Sequence, residues 1–270
     1  MKISARINTF NEEDNIAAAL ESVRWADEIV VVDSFSTDRT VEIARRYTER
    51  VLQRPFVSHG DQHNYADSIC THDWVLTLDA DERLTGELSA ALQRVRAGGD
   101  PACDGFRMAR RAWYLGRWIR HSGWYPDWQT RLYRRSATRW AGDPPHEAPK
   151  VNGPVETLSG DMLHYTRRSL HEHVAIMNYY TGLAASARLE RGQKISPLRL
   201  AFSPAWTFFH TYVVRQGFRD GWPGVVIAHL AASYVAVRQA KMLEAQRLNG
   251  GRLVGTKPAA PGSKDTGKLP

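Results

Sequence analysis

Three strand-like runs near the start of the chain each stop abruptly on a polar side chain, and this narrows the possible folds more than any other feature. Residues 3–7 lead into Asn8, 28–32 into Asp33, and 74–78 into Asp79. The largely apolar runs at 28–32 and 74–78 read as buried strands, and 3–7 reads as a third strand. Between them the pattern predicts helices over 15–20, 39–47 and 61–69, and a short strand at Val51–Gln53. Alternating strands and helices require right-handed crossovers and therefore a parallel sheet. In open α/β sheets, ligands bind beyond the carboxyl ends of the strands. Asn8, Asp33 and Asp79 all fall at such ends.

The third run opens into Asp79-Ala80-Asp81-Glu82. Side chains two residues apart on an extended segment point the same way. Asp79 and Asp81 can therefore present two carboxylates to one hard divalent cation, with phosphate oxygens completing its shell. A lone Asp-x-Asp is more often a solvated turn. Its company at one sheet edge, with Asn8 and Asp33, gives it weight.

With these residues in view, the chain resembles family 2 glycosyltransferases, and within them the bacterial lipopolysaccharide core β-1,4-glucosyltransferase-like subgroup. The resemblance rests on Asn8-Thr9-Phe10-Asn11-Glu12, on Asp33-Ser34-Phe35-Ser36-Thr37-Asp38 and on Asp79-Ala80-Asp81-Glu82. It continues through residues 124–132, Pro145-His146-Glu147 and His164, and more weakly through 217–221. It implies a GT-A type fold, a mostly parallel nucleotide-sugar-binding sheet with flanking helices. It implies a UDP-sugar donor, Mg²⁺ or Mn²⁺, and inversion at the anomeric carbon by a single displacement. By the same resemblance Asp81 binds the metal, and Asp79 lies beside the ribose or sugar and the metal. His164 resembles a distal metal ligand. Asp33 resembles the carboxylate that hydrogen-bonds uracil, and Thr9, Asn11 and Glu12 line the nucleotide pocket. Capping is the plainer reading of two side chains: Asn11 at the first helix and Asp38 at the second.

Inversion needs one general base on the acceptor side. Many relatives use a Glu-Asp pair, which the second half of this region lacks. His-Glu stands in its place in the subgroup, so the resemblance makes Glu147 the expected base. Asp127 is the alternative, and His146 has an imidazole that titrates near neutral pH. Gln129 and Arg131 resemble a loop that closes over the diphosphate, with Arg131 as a phosphate clamp. One position departs from the common pattern: Phe35 stands where the second block usually has Gly.

Residues 1–165 are expected to form the catalytic domain, with a nucleotide-sugar half over 1–100 and an acceptor half over 101–165. The acceptor half is dense in Arg and aromatic residues, among them Arg107, Arg110, Trp113 and Trp118. Such a mixture suits sugar faces and phosphates, or else an amphipathic hairpin with a solvated basic face. Residues 166–248 are helical in pattern, with Pro197, Pro204, Gly217 and Pro223 as punctuation. Residues 249–270, rich in Gly, Pro and Lys, are expected to be disordered.

Of 270 residues, 43% are hydrophobic, enough for a large core. The first residues run straight into a strand, so no signal peptide is expected. The two cysteines, Cys70 and Cys103, read as core thiols of a reducing compartment. The formal charge of +7 suits anionic lipid or a phosphorylated acceptor, and no nucleic-acid-binding motif accompanies it. The apolar runs at 204–216 and 222–237 are shorter than the roughly 20 residues that span a bilayer. Basic residues flank them, which suits a protein lying peripherally at the cytoplasmic face of the membrane. The expected acceptor is a cell-envelope glycan or glycolipid. A peptide acceptor stays open. A nucleotidyltransferase would carry a basic, Gly-rich loop where Asn11 and Glu12 stand, and a sugar-binding module would need no metal pair or base.

Overall fold

Strand β1 (Ile3–Thr9), helix α1 (Ile16–Ser22), β2 (Glu28–Asp33), α2 (Thr40–Ala44), β3 (Val51–Gln53), α3 (His59–Ser68) and β4 (Trp74–Asp79) come in the expected alternation. They are succeeded by β5 (Glu82–Leu84), α4 (Gly86–Ala97), β6 (Gly105–Tyr114), β7 (Arg117–Trp118) and β8 (Asp127–Arg134). Then come β9 (Thr138–Ala141), β10 (Ala148–Val151), β11 (Val155–His164) and the helices α5 (Leu170–Glu190), α6 (Pro197–Phe209) and α7 (Trp222–Leu248). This computed structural model describes residues 1–142, 147–166, 169–248, 250 and 253. His146 and nearly all of the tail expected to be disordered lie outside the described residues.

The chain divides into two compact units. One comprises Met1–Ala112 and Pro126–Tyr165, the other Trp113–Tyr125 and the residues from Thr166 on. In the first unit the main sheet has the order β3-β2-β1-β4-β8-β6-β11-β5. Its β3-β2-β1-β4 part is parallel. Beyond β4 the sheet is mixed: β8 runs antiparallel to both β4 and β6, β11 is parallel to β6, and β5 is antiparallel to β11. Among the described residues no α-helix lies between β6 and β11, and β6 and β8 pair antiparallel without a helical crossover.

Both faces of the parallel part are covered. Ile3, Ala5, Ile7, Val31, Leu76 and Leu78 pack with Ile16 and Leu20 of α1. Val30, Val32 and Val75 pack on the other face with Ala66 of α3 and Cys70. This two-sided burial is why the β2 and β4 runs read as nearly continuous rather than alternating. Cys70 and Cys103 are free and buried, and burial raises the Cys70 thiol to about 11, as suits an inert core residue.

One glycine fixes the far strand. The β6–β11 register shifts between Thr157 and Asp161, and Gly160 in the shift has φ +93°. A Cβ there would lie 2.5 Å from the backbone N of Leu88 in the first turn of α4. The bulge and the helix therefore meet backbone to backbone. Thr85 caps α4 and donates its hydroxyl to the Asp161 carbonyl at 2.8 Å, pinning the end of β11 that carries His164.

In the second unit Trp113 and Tyr114, the last residues of β6, pair with β7 in a hairpin across Leu115 and Gly116, both at positive φ. Asp220 anchors the segment after this hairpin: its carboxylate accepts from Arg120 N at 3.1 Å, His121 N at 2.9 Å and Ser122 Oγ at 3.3 Å. Helices α5 and α6 pack on α7. Lys241 of α7 donates to Asn178 O at 2.8 Å and Thr181 Oγ1 at 2.9 Å in α5. Pro204 does not interrupt the chain as expected. Helix α6 runs through it and passes into a π-helical turn, His210–Val214. Among the described residues no helix is long and apolar enough to cross a membrane.

Candidate active site

Strand register assembles the site. In the parallel ladders Thr9 lies opposite Asp33, and Asn8 opposite Asp79. The three polar strand ends therefore share one edge, as the sequence implies. Just past β4, strand β5 pairs with β11 so that His164 stands opposite Glu82. That pairing carries His164 back across 83 residues to Asp81, with Nε2 and Oδ2 at 3.1 Å.

The Asp81–His164 pair fits a divalent cation. Two ligands about 2.1 Å from one ion and at right angles lie about 3 Å apart. Among the described residues no group of three His, Cys, Asp or Glu side chains could hold a metal by itself, so this pair would share the ion with non-protein oxygens. The sequence suggests Asp79 as a second metal carboxylate. It is turned to Arg131 instead, whose Nη2 donates to Asp79 Oδ2 at 2.9 Å. Burial works against the charge on Asp79. Arg131, with His63 and Arg110 behind it, outweighs that and holds the carboxyl well below its usual range.

Arg131 and Gln129 do not lie on a closing loop as the resemblance implies. They lie within β8, which is paired on both sides by β4 and β6 and so is an interior strand. Arg131 is 4% exposed, and it donates to Glu82 Oε1 at 2.6 Å as well as to Asp79. Its guanidinium is thus engaged by two carboxylates inside the protein. Glu82 is fully buried, accepts also from Arg110 Nη1 at 3.0 Å and takes the Asp79 backbone N–H at 3.0 Å. Arg110 continues to Asp127 Oδ2 at 2.9 Å, and Gln129 Nε2 donates to Asp127 Oδ1 at 2.8 Å. Alternating charges thus run from Asp79 through Arg131, Glu82 and Arg110 to Asp127. Removing one partner of such a buried pair strands a charge at about 3–5 kcal/mol, so the chain of charges fixes the carboxylates at its two ends.

Asp33 is fully buried, and its carboxylate accepts from Ser36 N at 2.9 Å, Gln53 Nε2 at 2.9 Å and the Ser36 hydroxyl. With three protein donors and no exposed surface it shapes the loop after β2. Asn11 and Glu12 tie that loop to the one after β1. Asn11 N donates to Ser36 Oγ, Thr37 N to Asn11 Oδ1, and Glu12 N to Thr40 Oγ1, all at 2.8 Å. Neither helix is capped by the plainer reading of these side chains: Asn15 and Arg39 hold the N-cap positions, with no side-chain bond. Asp38 instead accepts from Thr40 N at 3.0 Å within the first turn of α2. Thr9 is buried with its hydroxyl oxygen lacking a protein partner among the described residues.

Phe35 keeps the backbone that Gly would take: φ is +63°, and the ring is 51% exposed. A left-handed conformation strains a non-Gly residue by about 1–2 kcal/mol, and Gly gives back roughly 0.5–1 kcal/mol through chain entropy. Phe35→Gly should therefore raise stability by up to about 1 kcal/mol. The midpoint of urea unfolding reads this out, and a lowered midpoint would show that the ring makes contacts outweighing the strain.

Glu147 sits against the first turn of α3. Its Oε1 accepts from Gly60 N at 3.3 Å, and a Cβ on Gly60 would lie 3.2 Å from Glu147 Cγ. Its Oε2 is buried and has no protein partner among the described residues. Asp127, by contrast, has both oxygens engaged.

A second buried network escaped sequence reasoning. Arg6 in β1 is fully buried and donates to Asp67 at 2.8 Å, to Tyr133 OH at 2.9 Å and to His63 Nδ1. His63 stacks on Trp140 with centroids 3.7 Å apart. Burial, reinforced by Arg6, keeps this imidazole well below its usual range and hence neutral. The signal was available: Arg6 is a charge inside an apolar run.

Residues 4–152 match Glycosyl transferase family 2. An uncharacterized glycosyltransferase of Rickettsia bellii is 33% identical over 260 residues, covering 90% of this chain and 86% of its own. The lipopolysaccharide core biosynthesis glycosyltransferase LpsC of Rhizobium meliloti is 29% identical over 255 residues, covering 92% and 94%. Among solved structures, that of Staphylococcus aureus TarS 1–349 in complex with UDP-GlcNAc covers 92% of each chain at 16% identity, with a TM-score of 0.47. A match over more than half the chain, with a relative one-third identical almost end to end, makes this protein a member of the family 2 glycosyltransferases.

Proposed function

We propose that this transferase moves a sugar, glucose in the first instance, from a UDP-sugar to a hydroxyl of a cell-envelope glycan such as the lipopolysaccharide core, with inversion. The observation that carries the reading is the Asp81–His164 pair at the edge where β1, β2 and β4 end. Asp81 Oδ2 and His164 Nε2 would hold Mg²⁺ or Mn²⁺ against the donor diphosphate, and the ion would neutralise charge on the leaving group. Asp79, held ionised by Arg131, would accept hydrogen bonds from ribose or sugar hydroxyls. The buried Thr9 hydroxyl supplies a further polar group at the same edge. Glu147 is the proposed base: Gly60 N orients one oxygen and leaves the other for the acceptor proton. Asp127 is the weaker choice because Arg110 and Gln129 occupy it. The lipopolysaccharide acceptor rests on the similarity to LpsC.

A panel of nucleotide sugars, scored by thermal shift with Mn²⁺ and with Mg²⁺, tests this. One UDP-sugar should stabilise the protein selectively and only with metal, by about 2.7 kcal/mol at 100 times its dissociation constant. Equal or absent shifts across the panel would overturn the donor assignment.

A further inference from the structure

The second unit exposes an apolar stripe that its own packing leaves uncovered. Along α6 and the π-helical turn, Leu198, Phe202, Trp206, Phe209 and Val213 recur at steps of three or four residues, so they share one face. They are 69%, 66%, 62%, 46% and 44% exposed. Single exposed apolar residues are ordinary, but a contiguous row with two large aromatic rings more than half exposed marks an interaction surface.

The charges around the stripe are one-sided. Between residues 191 and 222 stand Arg191, Lys194, Arg199, Arg215 and Arg219, all exposed. The one acidic residue in that span, Asp220, is 1% exposed and occupied by Arg120, His121 and Ser122. An apolar face whose own chain segment exposes only cations complements an anionic bilayer surface, where Trp and Phe settle at the headgroup level and Arg and Lys meet phosphate. A second copy would bring five like charges against five. Helix α6 has 13 residues, about 20 Å at 1.5 Å per residue, against about 30 Å of hydrocarbon. It is built to lie in the interface.

We propose that the exposed face of α6 and the turn after it is a docking surface for anionic phospholipid membranes, with Phe202 and Trp206 as the inserting side chains and Arg199 and Arg219 as headgroup contacts. The surface is independent of the donor-site assignment, so its test does not depend on transfer.

Co-sedimentation with vesicles of 70% phosphatidylcholine and 30% phosphatidylglycerol measures it. The full chain should bind at low salt, bind pure phosphatidylcholine at least tenfold more weakly, and be partly released at 0.5 M salt, where screening shortens to a few ångströms. Arg199→Gln and Arg219→Gln should each lower the partition coefficient about fivefold, the equivalent of one juxtamembrane cation. Phe202→Ser/Trp206→Ser should lower it more than tenfold while the melting temperature holds, because both side chains are already solvent-exposed. Failure of the unaltered chain to bind at low salt would overturn the proposal. So would unchanged binding of the double variant, or a double variant whose only loss is self-association seen by sedimentation velocity.

Discussion

Asp81→Ala should abolish metal-dependent transfer, lowering turnover by about 10³-fold or more, the rate equivalent of several kcal/mol of charge stabilisation. The fold should survive. The Asp81 side chain bonds to His164, while its backbone carbonyl still receives Tyr165 N at 3.0 Å when the carboxylate is gone. The same argument extends to His164→Ala, because both ligand atoms come from one pair brought together by neighbouring strands. Melting temperature with UDP, with and without Mn²⁺, separates binding from folding. Both variants should melt normally alone and lose the Mn²⁺-dependent increment. Normal turnover with normal Mn²⁺ dependence in Asp81→Ala would remove the metal from this position.

Glu147→Gln should keep donor and metal affinity and cut turnover by about 10²–10⁴-fold, the usual share of general base catalysis. The amide preserves shape, and its oxygen can still accept from Gly60 N, so the change isolates basicity. Single-turnover transfer at saturating donor is the appropriate measurement, since a lost base acts on chemistry and leaves donor binding unchanged. Collapse in Asp127→Asn alongside near-normal Glu147→Gln would move the role to Asp127. Weakened donor binding in Glu147→Gln would make Glu147 part of the donor pocket.

Legibility in the sequence tracks the range of the interactions. The strands ending at Asp33 and Asp79 are plain because burial on both faces writes itself into consecutive apolar residues. Their common edge comes from the crossover rule, and the ladders put Asn8 beside Asp79 as that rule requires. Distant pairing leaves no such trace. Nothing local says that Arg131 lies within an interior strand, or that its side chain bonds to Asp79 and Glu82. The hydrogen bonds of Asp33 to Ser36 and Gln53 are equally invisible locally, because a strand-end carboxylate looks the same whatever its partners. The meeting of His164 with Asp81 is suggested by family resemblance, and its physical cause, the β5–β11 register, is visible only in the fold. Glu82 stands inside the most conspicuous motif, yet nothing local sets it apart from the aspartates before it. Its full burial between two arginines marks it as the residue that organises the carboxylates around it.

The excursion Trp113–Tyr125 has a consequence for biosynthesis. It leaves the first unit's chain segment early, yet the carboxylate that holds His121 N belongs to Asp220, 99 residues later. At about 5–20 residues per second, the ribosome delivers that partner roughly 5–20 s after His121. The sheet cannot be finished meanwhile by simple vectorial order, because β8 and β11 also come after the excursion. Maturation is therefore interlaced: the segment at 120–122 waits for Asp220 while β8 to β11 and most of the helical region are made. A cut after Tyr165 would release a fragment that still carries Trp113–Tyr125 of the second unit, so no single cut in the chain parts one unit from the other.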